Sequence, residues 1–521
     1  MPLSNLCLLL ATVAAHLLAP IGRVHAGIQF PTPASANLTT RWTVSLNTDE
    51  QRMQSFTFQD EDRTTVIVFL LQSIKDHPQD LSFAACFYCT DQCTDFLFGI
   101  CIVFVDDGGY LGTLSGPIPQ VVWSANRGHL VRENATLSFT ASGDLQLWDI
   151  DGGLVWSTGT SELSVARMTV TKSGNLVLFN HNNMPVWQSF DNPTDSLLPG
   201  QPLVEGMRLR PNVSATNWTI SNQLYITIRA DGLYAFAESS PPQLYYQKTV
   251  TQAGNRKTYM TVTNGSLVIF ASSTSTVAET NMMSDQIGMT YIRLESDGHL
   301  KKYQYVRWVK GWQMVQDILV GQVNDCAYPT VCGEYGICNS GNCSCPMNRS
   351  ATYFKQIDDR MIHLGCTPVI RISCVAMADH QLLALSNTSY FNYIDTKTAL
   401  PQLIDEESCK KACLSNCSCK AALFQYSSDD TSKGSCYLPT QLFSLQVNQK
   451  EVSHYSSSAY LKIDYNKRPQ MSVVVKVLEG VVNVEPNIEF NFVATVPSNL
   501  GNDGKMASSA PPIASHLSGP R

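Results

Sequence analysis

Short apolar stretches recur from Arg41 to about Gln322, and Gly, Asn and Asp residues interrupt them roughly every 8 to 12 residues. Apolar and polar positions alternate within most of these stretches, which is the period of a strand with one buried face. Apolar positions at helical spacing are rare over the same range. The pattern predicts an all-β arrangement of many short strands.

Two segments of this range repeat each other, SGDLQLWDIDGGLVWS at Ser142 to Ser157 and SGNLVLFNHNNMPVWQS at Ser173 to Ser189. Both begin with Ser-Gly, continue through two alternating Leu positions to an aromatic residue, pass a turn and reach Val-Trp. Each is predicted to be one hairpin of a radially repeated sheet. The matching tryptophans, Trp156 and Trp187, are interpreted as core residues shared between sheets.

Composition narrows the class of protein. The 521 residues are enough for about three or four domains. The 36 basic and 43 acidic side chains leave a formal charge of -7, which argues against a nucleic-acid binder that depends on phosphate contacts. The clustering of the 17 cysteines excludes an ordinary reduced cytosolic enzyme.

The N-terminal residues 1–26 have the pattern of a secretory signal peptide, an apolar stretch from Leu6 to Leu18 followed by small residues near Ala26. Its cleavage would remove Cys7 and leave an even number of cysteines, which can all pair in an oxidising compartment. The longest later apolar run, Leu97 to Val105, is nine residues, whereas a spanning helix needs about 20. We therefore expect a secreted protein with no membrane span.

Asn-x-Ser/Thr sequons are frequent, as in extracellular modules. Asn342 and Asn416 are poor acceptors, because the middle residue of each sequon is a cysteine whose disulfide would compete with the glycan. The predicted glycosylation sites are Asn37, Asn134, Asn212, Asn217, Asn264, Asn348 and Asn387.

Four cysteines, Cys86, Cys89, Cys93 and Cys101, lie in one dense stretch between two apolar runs. A hairpin turning near residues 90–94 would place Cys89 near Cys93 and Cys86 near Cys101. A tetrahedral zinc site is the alternative for four cysteines. The oxidising route favours the disulfides, and no metal site is predicted.

Two further segments, VVWSANR at Val121 to Arg127 and VWQSFDNPTD at Val186 to Asp195, resemble the signature of bulb-type lectin domains in plant G-type lectin S-receptor-like serine/threonine kinases. The resemblance implies a mainly β, multidomain chain. It implies a β-prism lectin domain over residues 40–195 and an S-locus-glycoprotein-like second β domain over residues 196–322.

Mannose-binding members of the bulb-lectin family carry Gln-x-Asp-x-Asn-x-Val-x-Tyr on one strand, so that alternate side chains meet the sugar from one face. Of that pattern the second repeat keeps only its Asn and its Val, and the first repeat keeps none. We therefore favour a structural or protein-binding surface over mannose binding at these strands. The matching positions are Thr171, Ser173, Asn175, Val177 and Phe179 in the second repeat and Thr140, Ser142, Asp144, Gln146 and Trp148 in the first.

Residues 323–368 contain six cysteines around Gly333 and Gly336 and resemble an EGF-like module, which is too small for a hydrophobic core and relies on disulfides. Only Asp325 stands before the first cysteine, so no calcium site is predicted. The pairs that the resemblance implies are Cys326 with Cys338, Cys332 with Cys343, and Cys345 with Cys366.

Residues 369–464 include CKKACLSNCSCKAALF and GSCYL, which resemble a PAN/apple domain of α+β type, a protein or carbohydrate interaction module. Asp405 is predicted to cap a helix from Glu406 to Leu414. The pairing assigned under this resemblance is Cys409 with Cys436 and Cys413 with Cys419, which leaves Cys374 for Cys417.

The tail, residues 465–521, contains KRPQMSVVVKVLEG from Lys467 to Gly480, which resembles the final helix of the same family's kinase domain. The chain has no Gly-rich phosphate loop, His-Arg-Asp loop or Asp-Phe-Gly motif, and phosphoryl transfer needs these groups. We expect no kinase activity and no cofactor. The tail is expected to be an exposed or disordered segment.

Together these features predict an extracellular (apoplastic) recognition protein. It would bind a carbohydrate, glycoprotein or peptide ligand, or pair as a homo- or heterodimer with full-length S-domain receptor kinases. The alternative is a truncated or mis-spliced form of a receptor kinase of the plasma membrane. A true sugar-binding lectin is the third hypothesis.

Overall fold

The computed structural model describes residues 34–464 apart from 38, 47–53, 58–62, 72–80, 105–116, 215–216, 222, 251–256, 264–265, 271–275, 281–288, 320–324, 348–351, 390–394, 396–397, 427–429, 431 and 448–455. The signal segment, Asn264, Asn348 and the tail 465–521 therefore lie outside the described residues. Within the described ranges, no helix has the length and apolar character that crossing a membrane requires. The fold is mainly β, with several sheets and many disulfides.

Three antiparallel sheets form the first β domain. Sheet 1 consists of β1 (Ala34–Ser35), β12 (Val165–Val170), β13 (Leu176–Asn180) and β14 (Pro185–Gln188). Sheet 2 consists of β2 (Thr40–Thr43), β9 (Thr136–Phe139), β10 (Leu145–Trp148) and β11 (Leu154–Ser157). Sheet 3 consists of β3 (Gln54–Thr57), β4 (Thr65–Leu71), β5 (Leu81–Cys89), β6 (Asp95–Phe104), β7 (Gln120–Ser124) and β8 (Val131–Arg132).

The inner faces of these sheets share one hydrophobic core, as expected from their alternating patterns. Leu145 and Leu147 of β10 and Leu176 and Leu178 of β13 are fully buried in it. The two predicted hairpins are β10–β11 and β13–β14. Strand β1, at Ala34–Ser35, lies N-terminal to residue 40 and pairs with β12.

The Ser-Gly that opens each repeat has a steric cause. Gly174 has a φ of +83°, and a Cβ there would lie 2.6 Å from Leu198 Cδ1. Gly143 has a φ of +84°, and its Cβ would lie 2.6 Å from the Val165 Cβ. Only glycine fits both the left-handed backbone and the crowded space.

A second β domain follows, with three antiparallel sheets of four strands each around one core. Its first sheet contains β15 (Ser196–Leu197), β24 (Thr290–Leu294), β25 (Leu300–Val306) and β26 (Gly311–Asp317). Its second contains β16 (Leu203–Val204), β21 (Tyr259–Thr263), β22 (Ser266–Phe270) and β23 (Thr276–Thr280). Its third contains β17 (Arg208–Leu209), β18 (Leu224–Arg229), β19 (Gly232–Ala237) and β20 (Gln243–Thr249).

The C-terminal part carries three smaller sheets and the α-helix α1 (Glu406–Ser415). One sheet contains β27 (Ile337–Asn339), β28 (Asn342–Ser344), β32 (Thr388–Ser389) and β35 (Leu445–Val447), and a two-stranded sheet contains β29 (Phe354–Gln356) and β30 (Cys366–Pro368). The third contains β31 (His380–Leu385), β33 (Ala421–Tyr426), β34 (Gly434–Tyr437) and β36 (Ser456–Asp464). Short 3-10 helices occur at Ser189–Asp191, Asp325–Ala327, Ile362–Leu364 and Cys374–Asp379.

Helix α1 begins as the sequence predicts, because the Asp405 carboxylate accepts a hydrogen bond from the Ser408 amide at 2.9 Å. The helix ends at Ser415, one residue later than expected. At that end the buried Lys462 Nζ donates to the carbonyl oxygens of Cys413 and Asn416, which also accept from the backbone amides of Asn416 and Cys419, respectively.

One sheet joins the predicted 323–368 and 369–464 modules, since strand β27 of the first pairs in parallel with β35 of the second. In the same way, Tyr328 and Phe443 belong to the core of the second β domain. This non-local pairing has no signal in the local pattern of the sequence.

Sixteen cysteines are joined in eight disulfides. The pairs are Cys86–Cys101, Cys89–Cys93, Cys326–Cys338, Cys332–Cys343, Cys345–Cys366, Cys374–Cys417, Cys409–Cys436 and Cys413–Cys419. Each bridge restricts the unfolded chain.

Candidate functional site

The five positions of the second-repeat motif form a row along β13 and the turn that precedes it. Thr171 and Ser173 lie in the turn before β13, while Asn175 immediately precedes the strand. Val177 and Phe179 lie on β13 itself and alternate with the core residues of that strand. Only two of the five positions in the row therefore lie on the strand.

The Asn175 amide in this row is engaged within the chain. Its side chain is buried, Nδ2 donates to Gln188 Oε1 at 2.9 Å, and Oδ1 accepts from Ser189 Oγ and the Phe190 amide at 3.1 Å each. Gln188 Nε2 in turn donates to both carboxylate oxygens of Asp191 at 3.0 Å. These bonds tie β13 to β14 and to the 3-10 helix that follows.

The rest of the row offers little to a sugar. The hydroxyls of Thr171 and Ser173 bond to each other at 2.9 Å. Val177 is only 2% exposed, so it cannot pack against the carbon face of a ring from solvent. The Phe179 ring is covered by the Arg167 guanidinium, whose Cζ lies 4.1 Å from the ring centre.

Asp144 is the residue of the first repeat that corresponds to Asn175, and its side chain forms more hydrogen bonds. Its carboxylate accepts from Thr158 Oγ1 at 2.7 Å, Ser157 Oγ at 2.8 Å, Gln146 Nε2 at 2.9 Å and the Thr160 amide at 3.1 Å. Burial by itself raises the pKa of Asp144, but hydrogen bonds from Thr158, Gln146 and Ser157 outweigh it and leave the pKa lowered. The Asp144 carboxylate therefore stabilises sheet 2, because its hydrogen bonds link β10 to β11 and to the residues that follow β11.

Three tryptophans of the first β domain lie beside an open cleft. Trp123, Trp156 and Trp187 form a triangle with ring centres 5.8 to 5.9 Å apart, each pair edge to face. Trp123 is nearly buried and donates from Nε1 to the Asn192 carbonyl, whereas Trp156 and Trp187 are half-buried. The triangle lies in the wall of a cleft of about 410 Å³, which we call the tryptophan cleft.

Arginines also line the tryptophan cleft, namely Arg127, Arg208 and Arg210. Arg127 is 5% exposed; its Nε donates to Asn212 Oδ1 at 2.8 Å and its Nη1 to the Arg210 carbonyl at 2.9 Å. Its Nη2 is buried and has no hydrogen-bond partner among the described residues. Burial lowers the pKa of Arg127; the Asp195 charge opposes this and the Arg293 charge adds to it.

The tryptophan cleft was not predicted from the sequence. Both segments that carry the lectin resemblance meet there, Trp123 and Arg127 from one and Trp187 and Asn192 from the other. The matching tryptophans of the two repeats, Trp156 and Trp187, were interpreted as core residues alone. In the structure both rings pack against the core of the first β domain but are only half-buried, so part of each ring is accessible in the cleft.

A second cleft of about 530 Å³ lies beside the turn closed by Cys89–Cys93, and Tyr88 and Trp218 are among its lining residues.

Of the predicted glycosylation sites, Asn37, Asn134, Asn217 and Asn387 are exposed, and Asn212 is half-buried against Arg127. Across the described residues, no three His, Cys, Asp or Glu side chains are grouped as metal ligands would be.

Three family models match the chain. The D-mannose binding lectin model matches residues 120–219, the S-locus glycoprotein domain matches residues 245–348, and a PAN-like domain matches residues 374–443. The tryptophan cleft and both repeats fall in the first of these matches.

The curated proteins whose sequences are similar to this chain include several that are named as plant receptor kinases. A G-type lectin S-receptor-like serine/threonine-protein kinase of Arabidopsis thaliana is 28% identical over 397 residues, which is 72% of this chain and 41% of that protein. Another from the same plant is 27% identical over 60% of this chain and 36% of its own length. A putative receptor protein kinase of Zea mays is 27% identical over 62% of this chain and 39% of its own length. The chain thus spans about two fifths of these relatives.

Two solved lectins also align with the chain. The Marasmius oreades lectin is 18% identical, covers 26% of this chain and 95% of its own, and has a TM-score of 0.15. The two-domain Scilla campanulata agglutinin is 14% identical, covers 51% of this chain and 96% of its own, and has a TM-score of 0.19. Both scores are too low to inform on fold or ligand. From the domain matches and the named relatives, the chain contains D-mannose binding lectin, S-locus glycoprotein and PAN-like domains and is related to the G-type lectin S-receptor-like serine/threonine-protein kinases.

Proposed function

We propose that the chain is an extracellular recognition protein that binds a saccharide without catalysis, through the tryptophan cleft rather than the motif strands. The observation that carries the proposal is the pair of half-buried rings, Trp156 and Trp187, in the wall of an open cleft. Aromatic faces offer rigid apolar contact, and a volume of about 410 Å³ falls in the range of small-ligand sites.

The chemistry of the cleft fits binding. Among the described residues that line it there is no His, Cys, Asp or Glu to serve as general base or nucleophile. Ser157 and Thr158 do line it, but their hydroxyls already donate to the Asp144 carboxylate. The cleft therefore supplies surface and charge without the groups that would activate a bond.

The compartment and partners follow from the same proposal. Eight disulfides and exposed sequons suit the secretory route. We place the chain in the apoplast, where it pairs as homo- or heterodimer with S-domain receptors that share its domains. If the natural product continues into a kinase, the location becomes the plasma membrane.

That alternative has support in the length of the relatives, since the chain spans 41% of the first of them. It makes the chain a truncated or mis-spliced receptor serine/threonine kinase. Long-read sequencing of the transcript across Ile463 to Met471 decides it. A join present in mature message supports the secreted form, whereas reads that continue into an apolar span and a Gly-rich loop support the kinase.

A glycan array probed with the secreted chain tests saccharide binding. We expect capture of at least one glycan and its loss in Trp187→Ala. Trp308→Ala is the matched control, because Trp308 is 72% exposed and distant in sequence from the cleft. Absence of binding by correctly folded protein, or equal loss in both variants, would contradict the proposal.

A further inference from the structure

Arg127 is a buried cation with no direct carboxylate partner among the described residues. Within that part of the chain, its guanidinium forms hydrogen bonds to an amide oxygen and a backbone carbonyl, both uncharged. Asp195, whose charge acts on Arg127, is already shared: it forms an ion pair with Arg293 at 3.8 Å and accepts from the Ser196 hydroxyl at 2.9 Å. A buried cation with no carboxylate in contact is costly, so a bound anion would stabilise this site.

The other two cleft arginines share one carboxylate. Arg210 pairs with Glu238 at 2.8 Å and Arg208 with the same oxygen at 3.6 Å. Both guanidiniums also lie over the Tyr225 ring, with the Arg208 Cζ 4.2 Å from its centre. This ring holds the two arginines in place beside the cleft. Three arginines thus line a cleft whose described lining includes no acidic residue.

The tryptophans define the shape of a suitable ligand. A sugar ring with an apolar C–H face fits against Trp156 and Trp187, while an anionic group at its edge can face the arginines. An extended acidic peptide would satisfy the charge but would leave the aromatic faces unused.

We propose, on the basis of the saccharide-binding function above, that the tryptophan cleft selects a saccharide bearing a carboxylate or a sulfate. Neutral hexoses bind the same rings more weakly, because they leave Arg127 uncompensated. The selection therefore resides in Arg127 and Arg208, while the rings supply contact common to both classes.

The test is calorimetric titration of the secreted full chain with a hexuronate oligomer, a sulfated hexose oligomer, the neutral hexose oligomer and oligoglutamate. We expect the anionic saccharides to bind about tenfold more tightly than the neutral one at low salt, and the difference to shrink as salt rises. Arg127→Gln should remove most of the difference. Arg208→Gln alters a partly exposed side chain, so it remains informative even if Arg127→Gln folds poorly. It should reduce the difference in affinity between the anionic and the neutral oligomers about threefold.

Arg167→Gln is the matched control. Arg167 also lies over an aromatic ring, 4.1 Å from the Phe179 centre, but on sheet 1. It should change the affinity less than about twofold. An equal loss in Arg167→Gln and Arg208→Gln would overturn the assignment of the cleft.

The remaining outcomes separate this inference from the proposed function. Equal or tighter binding of the neutral oligomer overturns anionic selection and leaves saccharide binding intact. Binding of oligoglutamate alone overturns the saccharide in favour of an acidic peptide. If nothing binds to the folded chain, both proposals fail. A preference for hexuronate over the sulfated oligomer, or the reverse, supports the inference and identifies the anion.

Discussion

The outer faces of the two repeats lie in the first β domain, whereas residues of both β domains line the tryptophan cleft. The two regions differ in what their polar groups bind. On the repeats, Asp144 and Asn175 are fully engaged with neighbouring side chains and amides. In the cleft, the Arg127 Nη2 has no partner among the described residues, and two tryptophan faces are partly open. Polar groups that complete their bonds internally hold a fold together, and those left incomplete are available for a ligand.

The two repeats also differ from each other. Asp144 and Asn175 occupy the same position, and each accepts from a hydroxyl at the end of its hairpin, Thr158 in one and Ser189 in the other. The first repeat uses a carboxylate and the second an amide. We therefore expect loss of Asp144 to destabilise the domain more than loss of Asn175, and only the first repeat to respond to pH.

The largest effect is expected for Asp144→Ala. The change removes the acceptor of one buried and several half-buried donors, and we expect the free energy of unfolding to fall by about 3 kcal/mol. Denaturant unfolding followed by tryptophan fluorescence measures it. A loss below about 0.5 kcal/mol would show that the network does not hold sheet 2.

Asn175→Ala should cost less, about 1 to 2 kcal/mol, because the groups left behind are neutral. The same unfolding measurement applies, and saccharide binding should persist in the fraction that is folded. If this variant folds normally but loses binding, β13 rather than the cleft is the recognition surface.

A smaller effect is expected from pH. Because the pKa of Asp144 is lowered in the folded state, its contribution to stability is complete above the unfolded value of about 3.9 and declines as the pH falls below it. The difference in unfolding free energy between the wild type and Asp144→Asn should stay constant near neutral pH and shrink below about pH 4. A difference that grows on acidification would contradict the sign of the shift.

The smallest effect is expected for the double variant Thr171→Ala and Ser173→Ala. These hydroxyls bond to each other at the surface, so their removal should change saccharide affinity less than about twofold. Titration calorimetry with the tightest array ligand measures it. A tenfold loss of saccharide affinity would indicate that the binding site is on the motif strand β13 and not in the cleft.

The features of the fold that could be predicted from the sequence depend on local residue patterns. The period-two alternation around Leu176 and Leu178 predicted the second hairpin, and Asp405 predicted the start of α1. Both depend on residues a few positions apart. The pairing of β27 with β35 was not predictable, since more than a hundred residues separate the strands.

The candidate site was harder to predict for the same reason. The motif positions from Thr171 to Phe179 could be identified from the sequence. Their departure from the mannose pattern argues against mannose binding there, which stays a prediction. The tryptophan cleft combines Trp123, Trp187 and Arg208, which three different sheets bring together. No spacing along the chain indicates that convergence.

The most direct test of this account is fluorine NMR of the chain labelled with 5-fluorotryptophan, titrated with the hexuronate oligomer. The eight tryptophans include two in the cleft that are half-buried, Trp156 and Trp187, and one on the outer face of the first repeat, Trp148. We expect the resonances of Trp156 and Trp187 to shift and that of Trp148 to stay. A shift of Trp148 with the cleft resonances unchanged would contradict the account.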